Sequence, residues 1–273
     1  EILLLSSYRS LSEHEWAKSL LTVSELSDIL TLQLHNRQAE HTLRKSIPSL
    51  SGISNDTSEK VKDQYEQNPY PRWIQVSAVN NSISISEYVA RTNLRVPEEK
   101  ILNIELPDIL IAGCGTGQQA IEAAFLYQHR EILAIDLSLA SLSYAMRKTK
   151  EFNLKSIRYM QADILNLRKL DQKFDLIECA GVLHHMENPI VGWKILTERL
   201  KPGGLMKIGL YSDLARQHVV RVRQEIIQRG VNPTRSEMIA FRGNLIDSTE
   251  PHHRKLILAP DFYSLSEIGR AHV

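Results

Sequence analysis

From residue 108 onward the chain alternates short apolar runs with longer segments of helical pattern, and this alternation restricts the fold more than any other feature. "ILIAG", "EILAID", "IRYMQAD", "FDLIECAG" and "GLMKIGLY" read as strands. "QQAIEAAFLYQH", "LASLSYAMRKTKEF", "PIVGWKILTERL" and "LARQHVVRVRQEIIQRG" read as helices. Strands separated by helices of about a dozen residues pair in parallel through right-handed crossovers. Strand runs that are apolar at nearly every residue imply a sheet covered on both faces. The expected class is α/β, a mostly parallel sheet with helices on both faces, preceded by an N-terminal helical segment.

Residues 1–57 form that first segment. Up to residue 47 they contain no Gly or Pro, and Ser10 with Glu13 has the spacing of a capping box. Leu26, Ile29, Leu30 and Leu34 recur at near-helical spacing, so two helices are expected. The polar stretch "PSLSGISNDTSEK", 48 to 60, is the best boundary. Residues 58–105 read as a helical lid or linker. Within it Asn68 and Tyr70 each precede a proline and should be extended, and 84 to 94 should be helical. Residues 106–212 hold the sheet core. Residues 213–266 read as a helical extension and loop, with a second capping box at Thr234 and Glu237. There "DSTEPHHRKLILAPDFYSLS" is expected to be mostly loop, with His252-His253 solvated and the C-terminal strands of the sheet truncated. "EIGRAHV", 267–273, resembles a translated sequencing-adapter read and is expected to be a non-native tail.

The 33 basic and 32 acidic residues balance to a net charge of +1. This leaves no electrostatic footprint for nucleic acid, so no DNA partner is expected and RNA is disfavoured. No apolar run approaches the roughly 20 residues of a membrane span. The start, "EILLLSSY", lacks the basic region of a signal peptide. Cys114 and Cys179 sit in apolar strand contexts without CxxC spacing, so neither a disulfide framework nor a metal site is expected, and a reducing, cytoplasmic setting is.

The chemistry should lie at the first strand-to-helix turn, because ligands of open α/β sheets bind outside the carboxyl ends of the strands. Gly113-Cys114-Gly115-Thr116-Gly117 is spaced G-x-G-x-G, one residue short of the dinucleotide fingerprint. No Lys or Arg lies between 101 and 129 to clamp a phosphate. Side chains at the three glycines would fill space suited to an uncharged nucleoside and an amino-acid moiety. Asp136, 23 residues after Gly113, is placed to accept from ribose hydroxyls. Asp163 stands where it can accept from an adenine amino group, with Ile164 offering its backbone N–H.

"ILIAGCGTG", "LAIDLS", "QADI", "FDLIECAGVLHHM" and "LKPGGLMKIGLY" stand in order across about 105 residues. With them the chain resembles the class I S-adenosylmethionine-dependent methyltransferases. "YEQNPYPRW" and "PGGLMKIGLYSDLAR" look more narrowly like bacterial domains that often follow tetratricopeptide repeats. The resemblance implies a Rossmann-like core and S-adenosyl-L-methionine as cofactor. It places the methionine part on the turn 113–117, the ribose at Asp136 with Leu137, and the adenine at Asp163 and Ile164. Ala112 and Ala180 complete the expected cofactor set. Ala112 departs from the family, which usually carries an acid there.

His184 and His185 follow the fourth strand, where the transferred methyl should sit, and either can serve as a general base near neutral pH. The alternative is that one orients the loop and the other packs. Tyr65, Tyr70 and Trp73 are candidates for a lid or acceptor wall, or for packing of the N-terminal segment. The expected activity is methyl transfer to a small-molecule or protein acceptor. The competing expectation is a non-catalytic module that binds the same cofactor.

Overall fold

The structure, a computed structural model, describes all residues except 21, 22, 77–80, 97, 98, 233, 260, 261 and 263–273. The expected non-native tail lies outside the described residues. The chain opens with α1 (Ile2–Tyr8) and three 3-10 turns, Leu11–Glu13, Glu15–Leu20 and Ser24–Leu26. A continuous helix follows, made of α2 (Ser27–Leu30), a π turn (Thr31–His35) and α3 (Asn36–Arg44). The Ser10–Glu13 capping box does not form, because the Ser10 hydroxyl pairs with Ser12 at 2.8 Å. Serine hydroxyls here also bond to nearby carbonyls, as Ser19 does to Trp16, and such local bonds compete with a regular helix.

α4 (Asp56–Gln67) is capped by Asn55, whose side chain accepts from Ser58 N–H at 3.0 Å. α5 (Ile85–Thr92) is capped by Ser84 and ends on Asn93 in the left-handed region. The alternating core follows: β1 (Asp108–Ala112), α6 (Gln118–Leu126), β2 (Glu131–Asp136), α7 (Leu139–Glu151), β3 (Ile157–Gln161), β4 (Phe174–Ala180), α8 (Pro189–Arg199) and β5 (Leu200–Gly209). The five described strands form one sheet in the order β3-β2-β1-β4-β5, every neighbour parallel. The order reverses between β1 and β4, which makes the crevice above that pair the place for a ligand.

Side chains alternate across the sheet with the two-residue period of a strand. Ile109, Ile111, Ile132 and Ala134 face α6 and α7 in one fully buried layer. Leu110, Ala112, Leu133, Ile135, Ile177 and Cys179 face the other layer with Ile195 and Leu196 of α8. Both faces are therefore covered.

Beyond the sheet lie α9 (Gln217–Gln228), α10 (Arg235–Ile246) and α11 (Pro251–Ile257), packed around Val222, Ile226, Phe241, Leu245 and Phe262. Thr234 caps α10 through Glu237 N–H, while the Glu237 carboxylate accepts from Asn232 rather than closing the box. α11 corrects the expected loop. Pro251 at its first turn has the fixed φ that a helix start accepts. His253, expected in solvent, is 5% exposed. Among the described residues no helix is long and apolar enough to cross a membrane.

Candidate active site

The glycine turn is bolted to the second strand. Gly113 and Cys114 N–H groups both donate to the Ile135 carbonyl at 2.8 Å. All three glycines have positive φ, +76° at Gly113, +53° at Gly115 and +84° at Gly117. Their lack of a Cβ serves the protein's own packing more than expected. A Cβ at Gly117 would stand 2.5 Å from that of Ala145 on α7. One at Gly115 would stand 3.2 Å from the Tyr70 carbonyl. The space next to the glycines is filled by the chain itself, and the ligand-sized space opens beside them.

That space is a cavity of about 710 Å³ at the carboxyl edge of the sheet. Of the residues singled out from sequence, Gly113, Cys114, Gly115, Thr116, Asp136, Leu137, Asp163, Ile164 and Ala180 line it, as do His185, Tyr65 and Tyr70. Four do not. Ala112 is fully buried in the sheet layer beneath. Gly117 is turned to α7. His184 stacks on Tyr211 with ring centroids 3.8 Å apart. Trp73 is buried against Ile121 and Tyr144.

Trp73 nonetheless fastens the segment that walls the cavity. Its indole N–H donates to Thr116 O at 3.2 Å, the Thr116 hydroxyl donates to Pro71 O, and the Tyr144 hydroxyl donates to Trp73 O. Residues 70–73 are thereby strapped to both the glycine turn and α7.

Asp136 ends β2 with each carboxylate oxygen holding one backbone donor, Gly115 N–H at 2.8 Å and Ser138 N–H at 2.9 Å. Burial raises its pKa above the usual carboxylate range, against the lowering effect of those donors. Asp163 follows β3 and caps the 3-10 turn Ile164–Lys169 through Oδ1, which accepts from Leu165 N–H at 2.9 Å. Its Oδ2 is buried and has no hydrogen-bond partner among the described residues. Burial also raises the thiol pKa of Cys114 well above its ordinary value, helped by the nearby Asp136 charge.

One polar group went unnoticed in the sequence. Glu178, only 2% exposed on β4, accepts from Gln119 Nε2 at 2.8 Å and the Tyr127 hydroxyl at 3.1 Å. Lys207 Nζ lies 3.4 Å away. Gln119 and Lys207 both line the cavity. An acid inside the apolar run "FDLIECAG" was the available signal, since a buried carboxylate requires partners.

Residues 109–204 match the family described as methyltransferase domain. Over this stretch the chain carries a methyltransferase domain. An uncharacterised protein of Synechococcus sp. is 36% identical over 121 residues, covering 44% of this chain and 29% of that protein. A ubiquinone biosynthesis O-methyltransferase of Rickettsia bellii is 27% identical over 115 residues, covering 42% of this chain and 46% of that enzyme. An S-adenosylmethionine-dependent methyltransferase of Clostridium acetobutylicum of known structure is 26% identical. The overlap covers 45% of this chain and 48% of that one, with a TM-score of 0.37. The chain spans less than half the length of these curated relatives.

Proposed function

We propose that the methyltransferase domain transfers a methyl group from S-adenosyl-L-methionine to a small-molecule or protein nucleophile. The observation that carries this reading is the pairing of two carboxylates above one cavity. Asp163 Oδ2 is a buried acceptor in want of a donor. Leaving such an acceptor unmade costs about 1–3 kcal/mol, and an adenine amino group would satisfy it. Asp136, with one backbone donor on each oxygen, keeps lone pairs for two ribose hydroxyls. The turn Gly113–Thr116 lines the same cavity, and the amino-acid end of the cofactor would lie against it.

When bound, S-adenosylmethionine supplies a methyl group made electrophilic by its sulfonium. The chain's own residues would align and desolvate the acceptor. Tyr65 and Tyr70 wall the cavity on the α4 side, and His185 and Lys207 face it from the β4 and β5 side. His185, which lines the cavity, would take a proton from an oxygen or nitrogen nucleophile, with His184 stacked behind it on Tyr211 of the cavity wall. The named Rickettsia relative is an enzyme, which favours catalysis over a non-catalytic binding module. Two buried free thiols suit a reducing cytoplasm.

The test is transfer of labelled methyl from S-adenosylmethionine to a fractionated cell extract. The expected result is label in at least one fraction, lost in Asp136→Ala. Cofactor binding with no label in any fraction would overturn catalysis, and no binding would overturn the cofactor assignment.

A further inference from the structure

Away from the cavity, three metal-ligating side chains converge between α9 and α11. His252 Nε2 lies 2.6 Å from Glu225 Oε1, and His253 Nε2 lies 2.9 Å from both Glu225 oxygens. The ligating atoms of all three lie within 4.8 Å of one another. We propose that Glu225, His252 and His253 form a binding site for a divalent transition-metal cation of the zinc type, which clamps α11 to α9.

The donor set is suited to that ion. Two imidazole nitrogens and one carboxylate oxygen are ordinary zinc ligands, and three protein ligands leave a fourth position for water. Zinc–ligand bonds of about 2.0–2.1 Å at tetrahedral angles separate the ligand atoms by about 3.3–3.4 Å. The present spacings of 2.6 and 2.9 Å need to open by about 0.4–0.8 Å to reach that value. Both imidazoles meet the carboxylate through Nε2, the atom each would turn to the cation.

The surroundings fix the ligands. His253 Nδ1 lies 2.7 Å from the Ser248 hydroxyl. With the hydroxyl oxygen accepting from Nδ1–H, the Nε2 lone pair is directed at the cation, the usual second contact of a metal-bound histidine. Arg229 stands 3.5 Å from Glu225 Oε2, which leaves Oε1 as the coordinating oxygen. The side chains are 14%, 7% and 21% exposed for His252, His253 and Glu225, shielded but within reach of water. Neighbouring histidines diverge on most backbones, yet these rings lie with centroids 4.1 Å apart.

The experiment uses the full chain, free of any histidine tag and stripped with chelator. Titration with Co²⁺ should give one equivalent bound, with visible ligand-field absorption of a four- or five-coordinate nitrogen–oxygen site. Zn²⁺ should displace it and raise the melting temperature. Ser248→Ala should weaken Co²⁺ binding about 10-fold or more, and Glu225→Gln and His252→Ala further. Glu225→Gln keeps the side-chain shape and can accept hydrogen bonds, so its fold can be checked by circular dichroism beside the wild type. No binding below about 100 μM, or binding that survives in His252→Ala and folded Glu225→Gln alike, would overturn the site.

Discussion

A Cβ added at Gly113 would lie 2.3 Å from Cγ2 of Val182, the residue that follows the β4 turn. The first glycine is therefore fitted to the loop on the neighbouring strand, and both line the cofactor-sized cavity. Gly113→Ala should be destabilising by about 2–4 kcal/mol, from overpacking plus a left-handed φ. Val182→Ala in the same chain should recover the overpacking share only, because φ at 113 stays at +76°. Urea unfolding of the two single variants and the double variant measures this coupling. Strictly additive destabilisation would refute the contact as the cause.

The strands were legible because each is a short apolar run between breakers; burial on both faces leaves no two-residue period to read, so their length and the helical segments between them decided the assignment. Features set by distant partners were not legible. "EPHHRKL" looks polar and loop-like, yet α11 forms because His253 buries itself against Glu225, a partner 28 positions earlier. Asp136 and Asp163 could be placed from strand ends alone. Trp73 and His184 could not, since a one-dimensional pattern does not say whether a ring faces a cavity or packs behind it. Nor does it separate His184 from His185, adjacent in sequence but differing in whether they reach the cavity.

Asp136 sets up a trade of stability against binding. Burial raises its folded pKa, so the folded state holds this proton to higher pH than the unfolded state does. Its ionisation therefore subtracts stability as pH rises from about 3.9 through the folded value, and the penalty is constant above that. Asp136→Asn removes the titration. The stability of Asp136→Asn relative to wild type should be more favourable at pH 7 than at pH 3, by paired denaturant melts. Over the same range, cofactor affinity should fall on acidification in the wild type and stay flat and weak in the variant. A difference in stability that is independent of pH would sink the account.

Neither cysteine should behave as a reactive thiol. Burial pushes the Cys179 thiol up to about 12, against the lowering effect of its Leu183 backbone contact. Cys114 is raised well above its ordinary value by burial and by the Asp136 charge. Alkylation requires the thiolate, so iodoacetamide at pH 8 should label neither residue in the native protein and both in denaturant. Mass spectrometry of the two samples reads the count directly. Rapid native labelling of Cys114 would show that the turn opens to solvent far more readily than its bonds to Ile135 imply.

Asp163 offers the sharpest test of the ligand, because its two oxygens have separate duties. Oδ1 caps the turn that begins at Ile164, and Oδ2 is the buried acceptor left over. Asparagine is as good a cap as aspartate, so Asp163→Asn should change stability by less than about 1 kcal/mol provided Oδ1 is kept on Leu165. With its amide nitrogen in place of Oδ2, the variant presents a donor to the adenine amino group instead of an acceptor. Affinity for S-adenosylmethionine should fall by about 1.5–3 kcal/mol, the range for a hydrogen bond to a charged group. The 6-oxo analogue, S-inosylmethionine, turns the ligand's donor into an acceptor and should reverse the order, binding the variant more tightly than the wild type. Calorimetry on the four protein–ligand pairs decides it, and equal losses for both ligands would mean that Asp163 shapes the turn without reading the base.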